Sequence, residues 1–151
     1  MVRATSAVLL LLSLPATAFA SLGGTVSSVE TDRVQMKAAL IGIAANGPYT
    51  VHTIQSPTGT TIREYYGGNG VVFGVAWDGE WQPDLRQLFG AYYDRYQQAR
   101  TAGRRAVRAR GAIAVDDGTV VVMMGGHLRS VHGIAYAPQL LPAGVDPGVI
   151  K

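Results

Sequence analysis

The sequence predicts an α+β fold: a single antiparallel sheet of five or six strands with one principal helix packed on a face, in the order α-βββ-α-ββ(β). Three observations carry this reading. Apolar runs with strand character, bounded by glycine, proline and aspartate, stand on both sides of a central segment. That central segment, Pro83 to Ala99, changes to helical spacing. The runs are joined by short turns, which suit antiparallel neighbours and a two-layer domain.

The stretch Thr60–Ala99 organises the rest. Val71, Phe73, Val75 and Trp77 alternate with Val72, Gly74 and Ala76, which predicts a strand with bulk on one face and small residues on the other. Gly67-Gly68-Asn69-Gly70 precedes it, so Ile62–Tyr66 and Val71–Trp77 are expected to form a hairpin. Pro83-Asp84 then opens a helix, with proline in the first turn and an acid at the positive dipole end. Leu85, Leu88, Phe89, Tyr92, Tyr96 and Ala99 form its apolar stripe. The helix is expected to lie on the sheet face that carries Phe73 and Trp77.

Earlier in the chain, Ser27-x-x-Glu30 has capping-box form and predicts a short helix around Ser28–Ala39. Asn46-Gly47-Pro48 is a break, Tyr49–Gln55 a strand, and Ser56-Pro57-Thr58-Gly59 a turn into Thr61–Tyr66. After the Pro83 helix, Thr101–Gly111 reads as a helix extension that becomes an exposed basic linker. Strands follow at Ala112–Val115, Thr119–Met124 and His127–Tyr136, with turns at Asp116-Asp117-Gly118 and Gly125-Gly126. Residues 138–151 form an irregular tail in which Leu140 and Leu141 tuck over a sheet edge.

Residues 1–20 have the pattern of a cleaved signal peptide: Arg3, the apolar run Ala7–Leu14, Pro15, and Ala18-Phe19-Ala20 with its A-x-A cleavage signal. The run is too short to span a bilayer. Residues 21–137 then form one α+β domain, and no further apolar run anchors the mature chain in a membrane. Periplasmic or secreted localisation in a bacterium is expected. There is no cysteine, which excludes a disulfide framework and a lipid-modified cysteine. The formal charge of +3 falls by one with the loss of Arg3. Arg95, Arg100, Arg104, Arg105, Arg108 and Arg110 concentrate the remaining positive charge, with Asp94 the one acid near them in sequence.

Several of these segments carry a resemblance. Ser21–Gly24 (SLGG), Ser28–Asp32 (SVETD), Tyr49–Tyr65 (YTVHTIQSPTGTTIREY), Val71–Trp77 (VVFGVAW), Pro83–Tyr96 (PDLRQLFGAYYDRY), Gly125–His127 and Ala137–Val145 (APQLLPAGV) are similar to a family of small exported proteobacterial proteins, domain of unknown function 2844. The resemblance implies export and one compact domain. It implies no activity and no catalytic residue.

The residues themselves show no catalytic motif. His127 and His132 are five apart and point to opposite faces if they share a strand, so they read as strand histidines rather than metal ligands. No G-x-S-x-G elbow occurs, and Ser27, Ser28 and Ser56 suit caps and turns. The glycine clusters lie in hairpins, not in a strand-to-helix phosphate loop. No cofactor is expected. Two features point to binding instead. Trp81 and Tyr93 are candidates for an exposed aromatic surface, whose alternative role is to seal the seam between sheet and helix. Arg104, Arg105 and Arg108 are candidates for anion binding, with a solvated linker as the alternative.

The expected function is a non-catalytic envelope or secreted accessory module. Its partner would be an envelope protein or an anionic lipid or polysaccharide, not nucleic acid. The alternative is a small periplasmic enzyme with a dispersed site around Glu64, His52 and His132.

Overall fold

The computed structural model describes residues 22–27, 33–34, 37–102 and 112–151. Seven strands build one antiparallel sheet: β1 (Ala39–Asn46), β2 (Tyr49–Gln55), β3 (Thr61–Gly67), β4 (Val72–Gly79), β5 (Ile113–Asp116), β6 (Val121–His127) and β7 (Ser130–Tyr136). Their spatial order is β1-β2-β3-β4-β7-β6-β5. Each half is a meander of hairpins, and the helical segment bridges them before β7 returns to pair with β4.

The turns follow from local chemistry. Gly59 takes φ +86° and donates to the Ser56 carbonyl, closing the β2–β3 turn. Gly118 takes φ +81° while its N–H donates to the Asp116 carboxylate at 2.9 Å. Asp84 is the N-cap of helix α1 (Leu85–Phe89), accepting from the N–H groups of Arg86 and Gln87 at 2.9 and 3.3 Å. A single 3-10 turn at Gly90–Tyr92 separates α1 from α2 (Tyr93–Thr101), because Gly90 leaves helical geometry at φ +48°.

Register sorts the side chains onto two faces. On one face a row runs Ile54, Ile62, Trp77, Gly133 and Met124, and the next runs His52, Glu64, Val75, Ala135 and Val122. The helical segment covers these rows with Leu88, Phe89, Tyr96 and Ala99, all buried. Leu22 joins this layer, its N–H donating to the Leu88 carbonyl at 3.2 Å. On the other face the C-terminal tail lays Ile150, Val149, Leu140 and Leu141 against Val51, Tyr65 and Phe73. The tail is held there by Tyr65, whose hydroxyl donates to the Lys151 carbonyl at 2.8 Å.

The α+β class and the antiparallel sheet agree with the sequence, but the strand count and order do not. The sheet has seven strands instead of five or six, and β1 is absent from the order α-βββ-α-ββ(β). Every residue of β1 is exposed, so it lacks the one-sided burial that produces period-two alternation. Most of the expected Ser28–Ala39 helix lies outside the described residues; Arg33 and Val34 are helical, and Ala39 belongs to β1.

Four further expectations change. The Pro83 helix is broken at Gly90. The expected Gly125-Gly126 turn lies inside β6, and the chain reverses at Leu128-Arg129, where Arg129 takes φ +61°. Leu140 and Leu141 pack on the sheet face rather than its edge. Phe73 faces the tail, not the helices. The β3–β4 register shifts between Tyr65 and Tyr66, which pair with Gly74 and Val72 and leave Phe73 as the extra residue of a bulge. One extra residue inverts the alternation, so Phe73 meets Tyr49 and Tyr65, with ring centroids 6.1 and 6.3 Å away.

Candidate functional site

The tail covers only part of its face. It shields the row Val51–Tyr65–Gly74–Tyr136 and, in the next row, Ala76, with Ile134 packed beside them; it leaves open Arg63, Met123 and Ala114 of that row, together with Asp78, His132 and Gly125 beyond it. The open part is a groove of about 500 Å³. Its floor is apolar, and Met123 is 44% exposed within it. Arg63, Asp78, His132 and Lys151 stand among its lining residues.

Local structure explains the chemistry of this groove. β6 reads Val121-Val122-Met123-Met124, a continuous apolar run, so both faces of the strand are apolar although only one is covered by helix. Gly125 leaves room in the groove for the His132 ring, which lies over it. Arg63 donates to Asp78 at 2.7 Å across neighbouring strands, so a guanidinium and a carboxylate are fixed side by side, part-exposed. Such a surface accepts an apolar body and can orient a polar end by forked hydrogen bonding.

A second cleft, of about 590 Å³, runs between Leu22–Gly24 and Gly90–Tyr92. Its one cation among the described residues, Arg95, is occupied: it meets Asp117 at 3.4 Å and donates to Thr119 at 3.0 Å. Asp117 therefore reaches an arginine that has no acid but Asp94 near it in sequence. Gln139 donates to the Tyr92 hydroxyl at 3.0 Å and closes part of the same cleft. The groove is the better candidate.

The residues singled out from sequence are scattered. His52 and Glu64 are cross-strand neighbours on the helix-covered face, and His52 Nε2 lies 2.9 Å from the Tyr66 hydroxyl. Glu64 is fully buried. His132 pairs with Asp78 and Gly125 and points to the opposite face, so the sheet itself separates it from His52 and Glu64. Among the described residues no three His, Asp or Glu side chains gather in metal-binding geometry. Trp81 is 53% exposed, and its carbonyl accepts from the Thr60 hydroxyl at 2.7 Å. Tyr93 is half-buried: the Arg86 guanidinium stacks 4.6 Å from its ring centroid, and Gln97 donates to its hydroxyl at 2.6 Å. Trp81 and Tyr93 thus have separate local partners. Ala18, Ala20, Arg104, Arg105 and Arg108 lie outside the described residues.

The sequence reading misses the groove residues Arg63, Met123 and Ile134. The signal available for Met123 was the unbroken apolar run of β6, which implies two apolar faces. Arg63 and Asp78 are fifteen positions apart, and only the β3–β4 register brings them together.

No curated protein matches the chain, and no solved structure does. A family model described as protein of unknown function (DUF2844) matches residues 18–150, and the chain belongs to that family.

Proposed function

We propose that the chain is an exported, non-catalytic binding module of a bacterial envelope or secreted fraction, and that it holds its partner in the open groove of the tail face. The observation that carries this reading is the groove itself: an apolar floor with Met123 exposed, beside an ordered Arg63–Asp78 pair. Exposed apolar area rimmed by polar groups marks interaction surfaces. The partner chemistry that fits is an apolar segment with a carboxylate or amide at one end. His132 and Glu64 stand on opposite faces, which weakens the enzyme alternative.

The test is a photocrosslinking amino acid placed at Met123 in the full chain, expressed in its own cells. Discrete adducts at Met123, absent when the same group replaces Gln98 on the exposed helix surface, support the groove. Equal labelling at both positions, or none at Met123, removes it.

Export rests on Arg3, the apolar run and Ala18-Phe19-Ala20. N-terminal sequencing of the extracytoplasmic protein should begin at Ser21; a start at Met1 would refute it. Anion binding by Arg104, Arg105 and Arg108 rests on sequence alone. Anionic vesicles should bind the protein at low salt, and the triple change to Gln should abolish that binding.

A further inference from the structure

The sheet ends in two unlike edges. β5 has four residues and closes with Asp116, a short and charged edge of the kind that resists further pairing. β1 has eight residues, Ala39-Leu40-Ile41-Gly42-Ile43-Ala44-Ala45-Asn46, all exposed, with no charge and no proline. Leu40, Ile41 and Ile43 are 44%, 55% and 60% exposed, and Val34 nearby is 61% exposed. Four of the seven large hydrophobic side chains exposed among the described residues thus cluster at this one edge. A long apolar edge strand offers its outward backbone groups as a template for another strand.

We infer that β1 pairs antiparallel with β1 of a second copy of this chain, joining two sheets into one across a two-fold axis. The register of β1 on β2 supplies the geometry. The shift between Leu40 and Gly42 marks a bulge, so the regular run is Gly42–Asn46, with Ala44 at its centre. Ile43 and Ala45 pair with His52 and Thr50 and lie on the helix side; Gly42 and Ala44 pair with Thr53 and Val51 and lie on the tail side. A two-fold axis perpendicular to the sheet keeps each face on its own side, so facing residues must share a face. An axis through Ala44 meets that condition. It sets Ile43 against Ala45 of the second copy, large against small, and Gly42 against Asn46.

The absence of charge favours a second copy as the occupant. An isologous pairing brings each group against its own image, so any charge near the axis would meet a like charge. β1 has none to repel. The assembly also closes at two, because the pairing consumes both β1 edges and leaves only the short β5 edges. Eight residues a side fall short of the roughly 20–30 of a standard interface, so the dimer dissociates on dilution.

The protein, expressed from its full sequence and purified, is examined by sedimentation equilibrium over a wide concentration range. A monomer–dimer equilibrium is expected. The double variant Ile41→Lys, Ile43→Lys should remain monomeric throughout with an unchanged melting temperature at low concentration, because both side chains already face solvent. The chain has no cysteine, so single thiols report specifically. Ala44→Cys should form a disulfide between copies under mild oxidation, since directly opposed residues have Cα atoms about 4.5–5.5 Å apart, within disulfide reach. Gln98→Cys should not, and the two lysines should suppress the cross-link at residue 44. A monomer at every concentration overturns the inference and leaves β1 for a different protein's strand. A dimer that survives both lysines, or cross-linking at Gln98 as fast as at Ala44, places the interface elsewhere and overturns it equally.

Discussion

The indole of Trp77 fills the space that a side chain on Gly133 would need. The two residues face each other across β4 and β7, and a Cβ built on Gly133 would overlap the six-membered ring. Trp77 is 1% exposed, and its Nε1 has no hydrogen-bond partner among the described residues, so packing alone holds the ring. Phe89 caps it from the helix layer, with ring centroids 5.9 Å apart. Gly133→Ala should therefore destabilise the fold by about 1–3 kcal/mol, the range for overpacking a tight core. Gly68→Ala, where nothing lies within 4 Å, should change the melting temperature little. Equal shifts for the two would show that the Trp77 ring moves aside freely.

Phe73 and Leu88 lie in separate cores on opposite sides of the sheet. Phe73→Ala should cost about 3–5 kcal/mol and Leu88→Ala about 2–5 kcal/mol in chemical denaturation. The milder pair Phe73→Leu and Leu88→Val should be additive to within about 0.5 kcal/mol, as residues without shared contacts are. A larger coupling would place Phe73 under the helices after all. Gln98→Ala is the suitable silent control, because Gln97 is engaged by the Tyr93 hydroxyl.

The end of the tail is fastened at Tyr65 and Gly74. Tyr65 both donates to the Lys151 carbonyl and accepts from its N–H, at 2.8 and 3.2 Å, while Ile150 packs over Gly74. Tyr65→Phe should cost about 0.5–1.5 kcal/mol, the net worth of a typical hydrogen bond. Ile150→Ala should cost about 2–5 kcal/mol, because the side chain is 3% exposed. If the tail were loosely held, both variants would melt with the parent.

Tyr136 should make the stability of the fold decline at alkaline pH. Burial, then the nearby Asp116 and Asp146 carboxylates, raise its phenol above the usual value. The folded state therefore keeps a proton that the unfolded chain releases. Its stabilising contribution is complete below about pH 10, the unfolded value, and is lost as pH rises through the higher folded value. Tyr136→Phe should remove this part of the pH dependence: parent and variant should diverge in stability only above about pH 10. Parallel curves through that range would exclude Tyr136 as its source.

Much of the local structure was legible because it depends on neighbours in sequence. The helix start near Asp84, the turns at Ser56–Gly59 and Asp116–Gly118, and the buried stripe Leu88, Phe89, Tyr96 and Ala99 follow from spacing within a few residues, although Asp84 is the N-cap and Pro83 precedes it rather than standing in the first turn. β1 was not legible by alternation, since a strand exposed on both faces has none. The available signal was Asn46-Gly47, a strong hairpin dipeptide, and Gly47 does take φ +66° there. The face of Phe73 was not legible either. A bulge is a property of the β3–β4 pairing, and one inserted residue reverses which side every earlier position of the strand presents.

By itself, then, the sequence determined an α+β domain, its hairpins, the helical segment and an apolar helix stripe, because caps, turns and periodicity act over short range. Only the tertiary structure decided the site. The groove exists because the tail stops short of Met123, and because register joins Arg63 to Asp78 while it parts His132 from His52 and Glu64. These relations link residues far apart in the chain, and strand pairing sets them with a parity that a shift of one residue inverts.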